Sequence, residues 1–409
     1  MEQKKVIGLL SLPVLVAALG YFVDIYDLLL FGMIRNSSLL SLGLTGDEAV
    51  KTGLHVMSVQ MYGLLIGGIL WGIMGDKKGR LSVLFGSIIL YSLANIANGF
   101  VQTVDQYNIC RFIAGIGLAG ELGAGITLVS ELIPKEKRGI ATSMVAGIGL
   151  TGAVVAYFIS QHFDWRVCYY IGGGLGLALL LLRVSVFESG MYTSLKNTDI
   201  KKGNFFMFFT NGKRFKKYLL AILIGLPTWY VIGLLIQVSD KFGKEFGIKE
   251  KIAPGRAVMY AYIAISIADL LIGLVSQLLK SRKKALYIFY AITIVGIVLY
   301  FQQYNGSATN MYLICALMGF GTGFWALFVT MAAEHFGTNL RATAATTVPN
   351  MVRGSLPIVL FLFGYLQTGF SFSFINAAAV TGTVVMVIST AAVFMTEETF
   401  GKDLNFVEE

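Results

Sequence analysis

Gly72 to Arg80 read G-I-M-G-D-K-K-G-R, and this short stretch decides how the chain folds. It lies between two long apolar runs, residues 53–75 and 81–102, and four of its nine residues are charged. A segment so short and so polar between such runs predicts a tight turn that joins two membrane helices. Its three glycines would let the helices pack closely and let the backbone turn.

The composition agrees with a membrane protein. The chain has 409 residues, of which 56% are hydrophobic and only 13% are charged, whereas soluble proteins carry about 25% charged residues. Charge this sparse cannot cover a water-facing surface, so we predict an all-α polytopic membrane protein. The sequence shows no nucleophile triad, phosphate loop or metal-ligand cluster, so we expect neither an enzyme nor a bound cofactor.

Twelve apolar segments are long enough to cross a bilayer, which predicts two bundles of six helices. The predicted spans, numbered 1 to 12, are 6–34, 53–75, 81–102, 106–133, 139–160, 165–187, 217–238, 257–279, 285–303, 310–333, 342–367 and 372–395. We predict a first bundle over 1–187, a cytoplasmic linker over 188–216 and a second bundle over 217–409. Phe205 to Phe209 in the linker predict a short amphipathic piece at the membrane surface.

The basic residues indicate the orientation. The formal net charge of +9 could suggest a nucleic-acid partner, but most Lys and Arg fall in alternate loops. This is the positive-inside pattern, so we expect no nucleic-acid partner and both termini in the cytoplasm. We therefore predict a multi-pass protein of a cell membrane, surrounded by lipid and monomeric.

The turn at Gly72 has a counterpart in a known family. The pattern G-x-x-x-D-[RK]-x-G-R resembles the signature between helices 2 and 3 of the major facilitator superfamily of secondary transporters. The loops after spans 4 and 10, E-L-I-P-K-E-K-R-G and E-H-F-G-T-N-L-R-A, resemble further loops of that superfamily. The resemblance implies a conformational latch between helices. Its members here would be Gly72, Asp76, Gly79, Arg80, Glu131, Arg138, Glu334 and Arg341.

Ionisable residues lie inside the predicted spans. They are Asp24, Asp27, Arg111, Glu121, Asp269 and Arg353. Each would cost about 2.5–3.5 kcal/mol at the centre of a bilayer. They must therefore face a polar cavity or one another. The simpler alternative is that they form buried ion pairs that only fix how the helices pack.

Depth in the membrane suggests how these residues pair. Asp24 and Asp27 are three residues apart, so they share one face of span 1. At 1.5 Å per residue, Asp27 and Arg111 both lie roughly 8–10 Å from the outer ends of their spans. We expect these two to pair, which leaves Asp24 deeper in the membrane. Asp269 and Arg353 lie near the middle and are candidates for a second pair.

The surroundings of Arg111 suggest a mechanism. Arg111 to Glu121 read R-F-I-A-G-I-G-L-A-G-E, which resembles span 4 of proton-coupled metabolite symporters. In related proton-coupled sugar porters an Asp of span 1 faces an Arg of span 4, and protonation of the Asp releases the pair. The resemblance implies a proton-coupling group of Asp27, Asp24, Arg111 and Glu121, with Asp27 favoured over Asp24 as the carrier.

A central cleft between spans 1, 4, 7, 8, 10 and 11 is the expected solute site. The candidate contacts are Arg353, Asn350, Asp269, Trp229, Tyr230, Trp325 and Gln60. Arg353 can hold an anionic or carbonyl group, whereas the aromatic residues are more often packing residues. Pro227 should break or bend span 7 just before Trp229 and Tyr230.

The expected function is proton-coupled symport of a small polar organic solute by alternating access. An organic acid, an amino acid and a sugar-like metabolite all stay open. A proton-driven exporter of drugs or siderophores is the nearest alternative. The usual G-P-rich motif of span 5 is absent, because Gly147 to Gly152 contain no proline. A membrane sensor built on a transporter fold is the other alternative.

Overall fold

The computed structural model describes residues 11–133, 135–183, 205–337, 339–402 and 408. Within these ranges, the side chains at 47, 76, 80, 130, 131, 135–140, 143 and 342 lie outside the description. The described residues form helices and no β-strand, and twelve helical stretches are long and apolar enough to cross a membrane. The predicted all-α fold with twelve spans is confirmed, and the span numbers are kept.

The first six spans follow the predicted order. Their helices are Leu12–Ser41 for span 1, Gly46–Lys78 for span 2, Arg80–Asn98 for span 3, Val104–Leu118 with Glu121–Leu132 for span 4, Lys135–Leu150 with Gly152–His162 for span 5, and Trp165–Arg183 for span 6. Together they form the first half of the molecule.

The second half contains the other six spans. Its helices are Gly212–Trp229 with the π-helix Tyr230–Ile236 for span 7, Pro254–Leu278 for span 8, Arg282–Phe301 for span 9, Ala308–Thr322 with Trp325–Glu334 for span 10, Arg341–Gly354 with Leu356–Gly369 for span 11, and Phe374–Met395 for span 12. Two short helices, Met207–Thr210 and Ser239–Glu245, flank span 7. Residues 188–204 of the predicted linker lie outside the described residues, so the domain boundaries stay predictions.

The predicted turn after span 2 is present. Span 2 ends at Lys78 and span 3 begins at Arg80, with only Gly79 between them. Gly79 has a φ of 99°, a conformation that side-chain-bearing residues rarely adopt. Glycine therefore lets two antiparallel helices follow each other directly. The side of the molecule where span 1 begins is called the termini side, and the side where span 1 ends is called the opposite side.

Several spans are interrupted near the middle of the molecule. In span 7, Pro227 has no N–H to donate to the carbonyl of Leu223. That carbonyl instead accepts a hydrogen bond from Ser389 Oγ of span 12 at 2.8 Å. The α-helix gives way to a π-helix at Tyr230, so the interruption expected from Pro227 is confirmed. Such breaks free backbone groups at the depth where transporters bind their solutes.

The two halves contact each other on the termini side of the middle. Span 2 packs so closely on span 11 that a side chain at Gly68 would collide with Asn350. Gly72 lies against Thr347 less tightly, but a methyl group there would still lie 3.2 Å from Thr347 Cγ2, closer than an ordinary van der Waals contact. The Asn350 amide donates to the carbonyl of Ala119, at the break in span 4, at 2.8 Å.

The halves also contact each other on the opposite side. Arg35, at the end of span 1, forms an ion pair with Asp240 after span 7, with 3.2 Å between Nη2 and Oδ2. Arg256 Nε of span 8 donates to the hydroxyl of Tyr157 of span 5 at 3.4 Å. The interior between the halves is therefore bounded by contacts on both sides.

Candidate solute and proton site

A small cavity lies between the two halves. Its walls are Tyr21, Ile25, Leu28, Leu150, Thr228, Trp229, Tyr262, Ile265, Thr322, Trp325 and Arg353. These residues come from spans 1, 5, 7, 8, 10 and 11. The expectation that span 4 lines this cavity is wrong, because the break in span 4 packs on Asn350 of span 11 and span 5 contributes Leu150 instead.

Arg353 is the one charged residue that the described part of the chain contributes to the walls of this cavity. It is buried, and its Nη2 lies 3.5 Å from Oδ2 of Asp24. Its guanidinium carbon lies 5.8 Å from the centre of the Trp325 ring. The expected pair between Arg353 and Asp269 is wrong: spans 1 and 11 face each other across the cavity, so Asp24 is the partner.

The cavity is surrounded by polar atoms that have no hydrogen-bond partner among the described residues. They are Thr228 Oγ1, Trp229 Nε1, Trp325 Nε1 and Arg353 Nε. A buried donor without an acceptor costs about 1–3 kcal/mol, more when it is charged. Each of these four groups can donate a hydrogen bond, and the walls around them include the rings of Tyr21, Trp229, Tyr262 and Trp325. The cavity is therefore suited to a solute that has a flat apolar part and acceptor oxygens.

Asp27 and Arg111 form a pair with many contacts inside the first half. Arg111 donates three hydrogen bonds to the carboxylate at 3.2–3.3 Å and a fourth to Asn95 Oδ1 at 2.7 Å. Its guanidinium also lies 4.9 Å from the centre of the Tyr169 ring. Both charged residues are fully buried. The pair that was expected from matching depth is confirmed.

Asp24 lies one turn away from Asp27 and is much less well satisfied. Among the described residues, its one ion pair is the 3.5 Å contact with Arg353, which belongs to the other half. Its second oxygen, Oδ1, has no hydrogen-bond partner within the described part of the chain. One helix face thus holds one satisfied and one poorly satisfied carboxylate.

Glu121 forms a third buried pair, with Arg183 of span 6. The guanidinium contacts both carboxylate oxygens, and Ser87 Oγ donates to Glu121 Oε1 at 2.7 Å. Arg183 also donates to the carbonyl of Leu84 at 2.6 Å. Arg183 is not among the residues predicted from the sequence, because it lies near the end of its span. Its position directly after the leucines at 179–182 was the available signal.

Four of the seven expected solute contacts lie outside the cavity walls. Asn350 bonds to Ala119, and Tyr230 donates to the carbonyl of Ala378 in span 12 at 2.8 Å. Gln60 lies where span 2 packs on span 4, against Gly115. Asp269 accepts a backbone hydrogen bond from span 10, as described below. Arg353, Trp229 and Trp325 line the cavity.

The latch residues are described in part. The side chains of Asp76, Arg80, Glu131 and Arg138 lie outside the described residues, so a pair between Asp76 and Arg138 stays a prediction. Gly72 lies at the contact between spans 2 and 11, and Gly79 forms the turn between spans 2 and 3. Arg341 begins span 11. Glu334 forms an ion pair with Arg282 at the start of span 9, with 3.2 Å between Oε1 and Nη2.

These features can now be compared with known proteins. The sequence profile of the Major Facilitator Superfamily matches residues 14–360, so the chain belongs to that superfamily. It is a multi-pass solute transporter of the cell membrane and not an enzyme. A Haemophilus influenzae protein named for metabolite transport is 27% identical over 95% of this chain and 96% of its own length.

Two further relatives carry more specific names. The niacin transporter NiaP of Acinetobacter baylyi is 25% identical over 96% of this chain and 95% of its own length. The cis,cis-muconate transport protein of the same organism is 26% identical over 87% of each chain. Among solved structures, the proton:xylose symporter XylE has a TM-score of 0.70 at 17% identity, covering 96% of this chain and 97% of XylE. That similarity shows a shared fold.

Proposed function

We propose that this transporter is a proton-coupled symporter of a small organic acid, with flat monocarboxylates as its solute class. The observation that carries the proposal is the cavity around Arg353, where unpartnered donors face aromatic walls. An arginine holds a carboxylate through two parallel hydrogen bonds. The niacin transporter supports this class, because niacin is a flat monocarboxylic acid. The cis,cis-muconate transport protein supports organic acids more broadly, because cis,cis-muconate carries two carboxylates.

The contact between Asp24 and Arg353 offers a way to couple solute and proton. A solute carboxylate that binds Arg353 competes with Asp24 for the same guanidinium. Asp24 would then be a buried carboxylate without a counter-charge, which is costly unless it takes up a proton. The solute anion and the proton would therefore bind together. This exchange requires a weak resting contact, and the distance of 3.5 Å provides one.

Geometry favours Asp24 over Asp27 as the proton carrier. In alternating access the two halves rock against each other around the site. Asp27 and Arg111 both belong to the first half, so the rocking need not separate them. Asp24 and Arg353 belong to different halves, so their contact changes when the cavity opens. Asp27, which the sequence resemblance implies, stays the alternative proton carrier. We also propose that both termini are cytoplasmic.

Uptake into proteoliposomes tests the function. Labelled nicotinate should accumulate inside when the outside is made more acidic, and the uncharged analogue nicotinamide should not. Liposomes without protein control for passive permeation of the neutral acid. The proposal fails if protein-dependent uptake is equal for nicotinate and nicotinamide, or if the pH gradient has no effect on nicotinate uptake.

Two matched variants test the proton carrier. Asp24→Asn should lose accumulation driven by the pH gradient but keep exchange of labelled for unlabelled nicotinate, because exchange moves no net proton. Asp27→Asn leaves Arg111 without its counter-charge and is therefore compared at an equal amount of folded protein, where it should still accumulate nicotinate. The reverse result, with accumulation lost only in Asp27→Asn, would make Asp27 the carrier.

A further inference from the structure

Span 10 is broken where it meets the cavity. Its first helix ends at Thr322 and its second begins at Trp325. At the break, Gly323 packs so tightly on span 8 that an added methyl group would collide with Ala268 and crowd the carbonyl of Ile265. The break is therefore fixed against span 8, directly beside Asp269.

Asp269 is fully buried at this contact. Its Oδ1 accepts a hydrogen bond from the backbone N–H of Ala326 at 2.9 Å. Ala326 is the second residue of the second helix, so its N–H has no partner inside that helix. A carboxylate at this position satisfies the free N–H and is stabilised by the positive end of the helix dipole.

The surroundings of Asp269 differ from those of the other buried carboxylates. Asp24, Asp27 and Glu121 each form an ion pair with an arginine. No such pair is found for Asp269 among the described residues, and its Oδ2 has no hydrogen-bond partner there. Its described partner is the end of a helix in place of a cationic side chain. This contact indicates that Asp269 stabilises the position of the second helix of span 10.

The helix that Asp269 holds carries a wall of the cavity. Trp325 is its first residue, and the indole lines the cavity 5.8 Å from the guanidinium carbon of Arg353. Its ring also packs on Phe328, with 5.2 Å between ring centres. A change in the first turn of this helix would therefore move the indole relative to Arg353, although Asp269 itself lies outside the cavity walls.

We propose that Asp269 is a positioning residue for the solute site. Its carboxylate holds the first turn of the second helix of span 10 and so fixes the place of Trp325 against the solute. It does not touch the solute. The effect on solute affinity rests on the proposed function, whereas the effect on Trp325 does not. Loss of this contact should weaken solute binding more than it slows turnover.

Three variants of span 8 test this role. Asp269→Ala removes the acceptor, and Asp269→Asn keeps an amide oxygen in its place but removes the charge. Ser266→Ala is the matched control, because Ser266 lies one turn away and its hydroxyl donates only within span 8, to the carbonyl of Tyr262 at 2.8 Å. If the Asp269→Ala protein does not fold, Asp269→Ser is used in its place, because the serine side chain is too short for its oxygen to reach the N–H of Ala326.

The first measurement needs no solute. Acrylamide quenches the fluorescence of exposed tryptophans, and the protein has four tryptophans. The part due to Trp325 is the difference in quenching between each protein and the same protein carrying Trp325→Phe. We expect quenching to increase in Asp269→Ala, to increase less in Asp269→Asn and to stay unchanged in Ser266→Ala. Unchanged quenching in Asp269→Ala would overturn the proposal, whatever the solute is.

The second measurement is the KM and kcat of nicotinate uptake. Asp269→Ala should raise KM by up to about tenfold, because the hydrogen bond to a charged group that is lost lies within the protein and limits how much solute binding can weaken. The kcat should change much less. If quenching increases while the wild-type protein takes up no carboxylate, the proposed function fails and the positioning role stands. If Asp269→Asn loses pH-driven accumulation with normal quenching and normal exchange, Asp269 is a proton carrier and the positioning proposal is overturned.

Discussion

Two carboxylates on one face of span 1, three residues apart, have opposite surroundings. The inner pair, Asp27 with Arg111, has three hydrogen bonds between its members and a fourth to Asn95, all within the first half. The crossing pair, Asp24 with Arg353, has one contact of 3.5 Å between the two halves. Both pairs are buried, so exposure to water does not explain the difference.

We propose that this difference separates a structural pair from a functional one. In a low-dielectric interior, a polar network with many internal hydrogen bonds is rigid, because several groups would lose their partners if one moved. The inner pair is such a network, although Arg111 Nε and Asn95 Nδ2 have no partner among the described residues. A poorly satisfied pair can exchange its contact for a ligand at little cost. We therefore assign packing of the first half to the inner pair and solute and proton binding to the crossing pair. The following predictions test this assignment.

The largest effect is expected at the inner pair. Arg111→Ala leaves Asp27 buried without a counter-charge, which should cost about 3–5 kcal/mol of stability. Thermal unfolding of the purified protein in detergent measures this. The double variant with Arg111→Gln and Asp27→Asn should recover most of the loss, because no unpaired charge remains. A normal melting temperature for Arg111→Ala would show that the inner pair does not hold the first half together.

The next effect concerns the crossing pair. Arg353→Ala should weaken nicotinate binding about ten- to hundredfold, the range for hydrogen bonds to a charged group, and lower the melting temperature less than Arg111→Ala. Arg353→Lys should also bind weakly, because lysine lacks the planar fork that holds a carboxylate. Equilibrium binding and thermal unfolding are measured on the same samples. Normal transport by Arg353→Lys would contradict a bidentate contact with the solute.

A smaller effect is expected at the third buried pair, which resembles the inner pair in being well satisfied. A side chain at Gly20 would overlap Arg183 and Glu121, so Gly20→Ala should destabilise the protein by about 1–3 kcal/mol through overpacking. Solute affinity of the folded protein should stay normal. Gly174→Ala is the control, because no atom lies near an added methyl group there. A selective loss of affinity in Gly20→Ala would place the Glu121–Arg183 pair in the solute site.

The smallest effect is expected for Arg35 and Asp240, which also connect the halves. Asp240 is 21% exposed, so water screens this pair. Arg35→Gln should shift the conformational equilibrium toward the state that is open on the opposite side, by about 1 kcal/mol or less. Labelling of a cysteine introduced at Ile25, in the cavity wall, should become a few-fold faster from that side. Slower labelling would mean that Arg35 does not help to close it.

The sequence was informative about everything that depends on one helix at a time. Apolar runs predicted the twelve spans, Gly79 marked the turn that needs a positive φ, and Pro227 marked the interruption of span 7. The inner pair could also be predicted, because depth along two helices follows from residue count. Arg35 and Arg183 were missed because a charge near the end of a span is usually assigned to the membrane surface.

The crossing pair could not be predicted in the same way. Asp24 and Arg353 are 329 residues apart, and several buried charges lie at similar depth. Depth alone favoured Asp269 as the partner of Arg353, but it does not say which helix faces which. Asp269 instead bonds to the end of a broken helix, and the position of that break is set by the packing of span 10 on span 8.

The sequence by itself determined that this chain crosses a membrane twelve times, where its helices turn, and that the six charged residues inside the predicted spans are buried. These features follow from local hydrophobicity and from the cost of charge in lipid. Only the tertiary structure decided which buried charges meet, that span 5 rather than span 4 lines the cavity, and that Arg353 shares it with Trp229 and Trp325. Such contacts depend on how the two halves pack, and packing is a property of helix faces brought together from distant parts of the chain.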